Sequence, residues 1–209
     1  MGARIWVRRS SSKICNHGYI LFMAEISWVL LSSRLPREPS RLRLATWRRL
    51  RRLGAVLLHD AVWVLPADAK TREAFEWLAD EIVERGGTAF LWEARSLGTL
   101  QDQDIVQCFR TEADARYMEI AGTADAIGRT TLRHVARKGL VPNSVTARLL
   151  HARRQLRGLE RALRLERRRD YFGAPARATT ETIVRTAIEA MAAQLGPATD
   201  PGGRHAVGH

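Results

Sequence analysis

Three runs of β-branched and aromatic residues, ISWVLLSSRL (26–35), VWVLP (62–66) and TAFLWEA (88–94), are apolar at both parities of an extended chain. Strands of that kind hide both faces from water, so the sheet they form needs cover on each side. The intervening segments narrow the choice further. Residues 37–53 read as an arginine-rich helix, with Pro39 suited to its first turn and Gly54 to its stop. AVLL and VWVLP then flank His59, Asp60 and Ala61, a short hairpin in which Ala61 stands where glycine is usual. Residues 70–85 form an amphipathic helix with Phe75, Leu78 and Ile82 on one face, ending at Gly86 and Gly87. The order β-α-β-β-α-β over residues 26–98 is that of an α+β, ferredoxin-like domain, a four-stranded antiparallel sheet with two helices on one face. Trp28, Trp63 and Trp92 lie in the strands. The opposite face is therefore expected to be covered by the C-terminal helices or by a second subunit, and a homodimer is the expected state.

From residue 99 onward the pattern is helical. Ile105, Phe109, Ala113, Ile120 and Ala124 recur at helical spacing over 102–127, and RKGLVPNS (137–144) is a break. Leu149, Leu156 and Leu163 then repeat every seven residues, with Val145, Ala152 and Leu159 between them. Residues 99–170 are thus expected to form a helical hairpin. RDYFGAPA punctuates the chain, and 171–209 should hold a terminal helix, 179–195, and a disordered tail. Residues 1–25 fit none of this pattern and are expected to be a disordered extension or a mis-called start, with Met23 a natural alternative. Glu25 interrupts the apolar run that follows Tyr19, and no stretch reaches the length of a membrane span.

Charge is the second constraint. The chain has 34 Lys+Arg against 22 Asp+Glu, a net charge of +12, and lysine occurs only at Lys13, Lys70 and Lys138. Arginine suits bidentate contacts with phosphate and other oxyanions. Stepping the first helix at about 100° per residue puts Arg41, Arg48, Arg49 and Arg52 on one side, opposite Leu42, Leu50 and Leu53. Such a stripe either binds DNA phosphates or is a solvated face. A second run, which includes Arg153, Arg157 and Arg164, either docks on DNA or pairs across the hairpin with Asp102, Asp104, Glu112, Asp114, Glu119 and Asp125. Arg43 falls between Leu50 and Trp47, inside the apolar arc. A charge there needs a carboxylate, with Asp60 and Glu93 available, or forms an anion-binding pocket with a helix N-terminus.

Catalytic patterns are absent: no phosphate-binding loop, nucleophile elbow, zinc-protease helix or Cys/His pair at nucleophile spacing occurs. The first strand ends in Ser32-Ser33-Arg34, without a carboxylate for a magnesium ion. His59 and Asp60 read as turn residues. Cys15 and Cys108 lie too far apart for a zinc or disulfide motif, which fits a reducing cytoplasm. The expectation is a cytoplasmic protein that is not an enzyme and needs no cofactor or metal.

WVLLSSRLPREPSRLRLATWRRLRRLGAVLLHDAVWVLP, a strand followed by an Arg/Trp helix and a Val-Trp-Val-Leu-Pro strand, resembles the N-terminal domain of the chromate-resistance regulator family, ChrB. The resemblance continues through REAFEWLADEIVERGGTAFLWEAR and FRTEADARYMEI and returns at RDYFGAP. It implies a transcriptional regulator of a chromate-efflux operon, with DNA and chromate or a related oxyanion as partners and no membrane. Within its 209 residues there is no room for the second domain of the family's longer members, so any sensing that resides there is expected to be missing. A non-catalytic basic scaffold and a chromate-detoxifying enzyme are the alternatives; neither a flavin motif nor a paired reactive thiol supports the latter.

Overall fold

A computed structural model describes residues 26–36, 38, 40–136 and 142–195. The expectations for residues 1–25, the 137–141 part of the break, Pro39 and the tail from 196 fall outside them. The element order is β1 (Ser27–Arg34), α1 (Ser40–Leu53), β2 (Val56–His59), β3 (Val62–Pro66), α2 (Ala69–Glu84), β4 (Thr88–Arg95), α3 (Thr99–Val135), α4 (Pro142–Arg169) and α5 (Arg177–Leu195). The four strands make one antiparallel sheet in the order β2-β3-β1-β4. The hairpin turns through Asp60 at φ 46°, a conformation that aspartate tolerates better than most residues, so Ala61 keeps an ordinary backbone. A capping box starts α2: the Asp68 carboxylate accepts from the Thr71 amide (2.8 Å), and the Thr71 hydroxyl oxygen accepts from the Asp68 amide (2.9 Å).

Register divides the sheet into two faces. Val29 and Leu31 of β1 share one with Leu65 and Trp63 of β3, and the core on that side includes Phe75, Leu78 and Ile82 of α2. Trp28 and Leu30 share the other with Val64 of β3 and Trp92 of β4. Its Trp28 end is closed from the C-terminal half of the chain. Trp28 stacks on Phe109 of α3 at 6.0 Å and lies 5.8 Å from Phe172, and Phe109 meets Tyr171 edge-on at 5.9 Å. Each such pair adds about 0.5–1.5 kcal/mol beyond the area it buries. The indole N–H of Trp28 donates to Asp102 at 2.7 Å, which fixes the start of α3 against β1. Trp28 and Trp63 are thus buried as expected, but Trp92 is 59% exposed and Phe90 61%. The C-terminal helices reach the middle of the sheet and leave its β4 edge open.

At 37 residues, α3 is longer than its apolar periodicity implies, and at 1.5 Å per residue it runs for about 55 Å. Its first half supplies Ile105, Val106 and Phe109 to the sheet core. Ala124, in its second half, belongs to a separate core with Leu149, Ala152 and Leu156 of α4 and Val184 and Met191 of α5. The helical hairpin with a terminal helix is therefore a three-helix bundle on a shared spine.

Candidate nucleic-acid interface

The bundle decides which arginines are free. On α4, Leu149, Leu156 and Leu163 face the interior. At about 100° per residue, Arg153, Arg154, Arg157, Arg161, Arg164 and Arg168 all fall within about 100° of one another, away from that buried side. All are exposed except Arg153, which is half-buried, and none forms an ion pair among the described residues. Arg153 to Arg168 covers about 22 Å along the helix axis. Sequence reasoning found three of these six. The same angular count, applied to α4, gives Arg154, Arg161 and Arg168 as well.

Of the two readings of the second basic run, pairing with the acidic face of α3 is not seen among the described residues. Several carboxylates of α3 are used elsewhere: Asp102 accepts from Trp28 and Ser96, Asp114 from the Ala176 amide, and Asp125 pairs with Arg129 on its own helix. Where α3 and α4 do pair, the polarity is reversed, with Arg116 of α3 donating to Glu166 of α4 at 2.7 Å. A helix whose only carboxylates are Glu160 and Glu166 therefore keeps most of its positive charge facing solvent.

On α1, Arg41, Arg48 and Arg52 are exposed and have no ion pair among the described residues. Arg49 is tied to Glu81 of α2 at 2.6 Å, a surface pair of small energetic worth. Arg51 points the other way, pairs with Glu112 of α3 and lies 6.0 Å from the Trp47 ring. Arg43 corrects its expectation. It is exposed rather than enclosed, because the apolar arc itself is open at that end of the helix: Leu44 is 46% and Trp47 50% exposed. Neither foreseen partner reaches it, since Glu93 is held by both Nε and a terminal nitrogen of Arg72, and Asp60 lies against His59.

A polar joint locks the two basic helices together at their C-terminal ends. The buried carboxylate of Glu166 accepts from Arg116 and from Arg169 Nε, each at 2.7 Å. Arg169 also donates to the backbone carbonyl of Arg51 (2.9 Å), and the Tyr171 hydroxyl donates to that of Leu53 (2.8 Å). The last carbonyls of α1 thus find partners from α4 and the turn after it. Gly54 permits this approach. Its φ is 76°, and a Cβ there would lie 2.7 Å from Cβ of Arg169. Arg52 of the α1 stripe and Arg168 of the α4 stripe each neighbour a residue of the joint, which brings these ends of the two basic stripes together. The DYFG segment, read from sequence as mere punctuation, supplies this joint.

No described helix is long and apolar enough to cross a membrane, and no three His, Cys, Asp or Glu side chains cluster to hold a metal among the described residues.

The family model for Protein ChrB, N-terminal, matches residues 43–194, well over half of the sequence. Protein ChrB of Cupriavidus metallidurans is 28% identical over 175 residues, covering 83% of this chain and 49% of that protein. The chain therefore spans about half the length of the curated relative. No solved structure matches.

Proposed function

The chain belongs to the family of ChrB N-terminal regions, and from that premise we propose that it is a DNA-binding transcriptional regulator acting in chromate resistance and responding to chromate. The observation that carries the DNA-binding part is the unpaired arginine stripe of α4. Six guanidinium groups over about 22 Å, with Arg41, Arg48 and Arg52 added through the joint, suit a row of backbone phosphates. Phosphate contacts give affinity and register, and base readout is a separate task for other side chains. The chromate part rests on the family relationship.

We read the sheet unit as ferredoxin-like, which the strand order β2-β3-β1-β4 supports. The open β4 edge, with Phe90 and Trp92 on one face, favours pairing of two subunits there. The reading assigns no reaction, cofactor or metal to the chain and places it in the cytoplasm.

Electrophoretic mobility shift on the DNA upstream of the protein's own gene, with chromate or sulfate added, tests the proposal. A specific shift released by chromate but not by sulfate is the expected result. Binding that is indifferent to DNA sequence and to chromate would leave only a basic scaffold and overturn the regulator.

A further inference from the structure

We propose that the groove between the C-terminal half of α3 and the first half of α4 binds a small organic anion with an apolar body, of the class of a medium-chain monocarboxylate. The proposal goes beyond the DNA-binding reading and does not depend on it. The groove has a volume of about 390 Å³ and an apolar floor that includes Ala126, Ile127 and Ala152. Its polar lining is Thr130 and Thr131 of α3 and, on α4, Arg148, His151 and Gln155, which stand at i, i+3 and i+7. That spacing places them on one side of the helix, separate from the six-arginine stripe.

Electrostatics selects an anion. No carboxylate lines the groove, and Arg148 has no ion pair among the described residues. The acidic residue just before the groove on α3, Asp125, is held by Arg129 at 2.7 Å. The guanidinium fork of Arg148 therefore stands beside an apolar floor without a protein counter-charge. A carboxylate is its geometric complement.

Shape and polarity select the rest of the ligand. Ligand sites of roughly 300–1,000 Å³ are usually apolar with a few converging polar groups, which describes this groove. A bare tetrahedral oxyanion could meet Arg148 but would fill little of the groove and leave the floor of Ala126, Ile127 and Ala152 in water. An alkyl chain fits that floor, and its carboxylate reaches Arg148. A nucleic-acid phosphate likewise leaves that apolar floor uncovered.

Calorimetric titration of the full chain with hexanoate tests this, with 1-hexanol and sulfate as companions at equal ionic strength. Saturable one-to-one binding of hexanoate is expected, with 1-hexanol at least about tenfold weaker because it lacks the charge-assisted contact. Arg148→Met should lower hexanoate affinity by at least about tenfold at an unchanged melting temperature, since the residue is exposed. Ala126→Leu, also at an exposed helical position, should block the floor and abolish binding while the fold persists. The proposal is overturned by absence of saturable hexanoate binding, by equal binding of 1-hexanol, by sulfate competing at the same site, or by an unchanged isotherm in Arg148→Met. Because DNA binding is read by mobility shift in the same preparations, failure here is distinguishable from failure of the regulator reading.

Discussion

Arginine does two opposite jobs in this molecule, one at the joint and one on the α4 stripe. At the joint, Arg116 and Arg169 are each 16% exposed and converge on a Glu166 carboxylate that is 1% exposed. On the stripe, Arg154, Arg157, Arg161, Arg164 and Arg168 face water without carboxylates. The residue type is the same, and the difference lies in what each stands to lose. A buried guanidinium deprived of its partner keeps a desolvation penalty, whereas an exposed one is simply rehydrated. The joint should therefore govern stability and the stripe should govern binding.

Removing the joint's shared acceptor should have the largest effect. Glu166→Gln leaves Arg169 facing a neutral amide in a dry site and Arg116 with only its longer pair to Glu112 at 3.3 Å. The expected loss is about 3–5 kcal/mol, read as a fall of roughly 10 °C in melting temperature for a chain of this size. Replacing Arg116, Glu166 and Arg169 together by apolar residues of similar volume should recover much of that loss. A single-variant cost below about 1 kcal/mol would place the joint among ordinary surface pairs and dissolve the comparison.

The stripe should respond in the other observable. Arg153→Gln, Arg157→Gln and Arg164→Gln combined should weaken DNA binding about a hundredfold at moderate salt and flatten the salt dependence by about 0.9 for each phosphate that is no longer neutralised. Melting temperature should barely change, because surface substitutions usually stay within about 0.5 kcal/mol. The matched triple on α1, at Arg41, Arg48 and Arg52, should produce a smaller loss. If the order of the two triples reverses, α1 is the principal docking surface and α4 its flank.

How much of this was legible in the sequence follows the same division. Elements declared by strong periodicity or by strand runs bounded by glycine, such as β1, α2 and β4, lie within a residue or two of expectation. The second half of α3 was hidden because Gly128, Thr130 and Thr131 are poor helix formers. In the folded chain Gly128 is buried, and a Cβ there would stand 4.0 Å from Ala187 of α5, so packing overrides propensity. The choice between docking and pairing across α3 and α4 stayed open because charge composition does not specify the rotation of two helices about their axes. That rotation turned Glu166 inward toward Arg116 and left most arginines of α4 outside. The joint itself was illegible, since it unites Arg51 and Leu53 with Arg169 and Tyr171, 118 residues away in each case.

Tyr171 offers a smaller test of the joint. Its hydroxyl donates to the Leu53 carbonyl, and burial pushes the phenol up to about 12. Burial raises the Tyr117 phenol as well, with Asp170 adding to the shift. An unfolded tyrosine releases its proton near pH 10. Between about pH 10 and 12 the unfolded chain has therefore lost protons that the folded chain still holds, so stability must fall as pH rises through that window. Tyr171→Phe should cost about 1 kcal/mol at neutral pH for the missing hydrogen bond and make the alkaline decline shallower. Chemical denaturation at pH 7 and at several points above pH 10 measures both. An unchanged alkaline slope would show that Tyr171 does not carry the proton linkage.

The smallest effect is expected at Arg43, and it sharpens the comparison most because this residue's angle and its exposure disagree. By helical angle it belongs with Trp47 and Leu50, as a buried arginine would. By exposure it belongs with the stripe, since it faces solvent beside the half-open Leu44 and Trp47 and neither Asp60 nor Glu93 reaches it. The energetic rule depends on burial and not on angle, so Arg43→Met should alter stability by no more than about 0.5 kcal/mol. A phosphate contact made by Arg43 would lower the salt slope by at most about 0.9. If Arg43 receives an oxyanion, the folded variant should instead bind DNA normally and fail to release it when chromate is added. Thermal melts and a chromate titration of the DNA complex, run on both proteins, separate these outcomes. The exposed geometry gives an unchanged chromate midpoint as the expected result, because Arg43 alone cannot offset the water that a strongly hydrated dianion would have to give up. A stability loss above about 1 kcal/mol would reveal a buried partner and move Arg43 to the joint's side of the division.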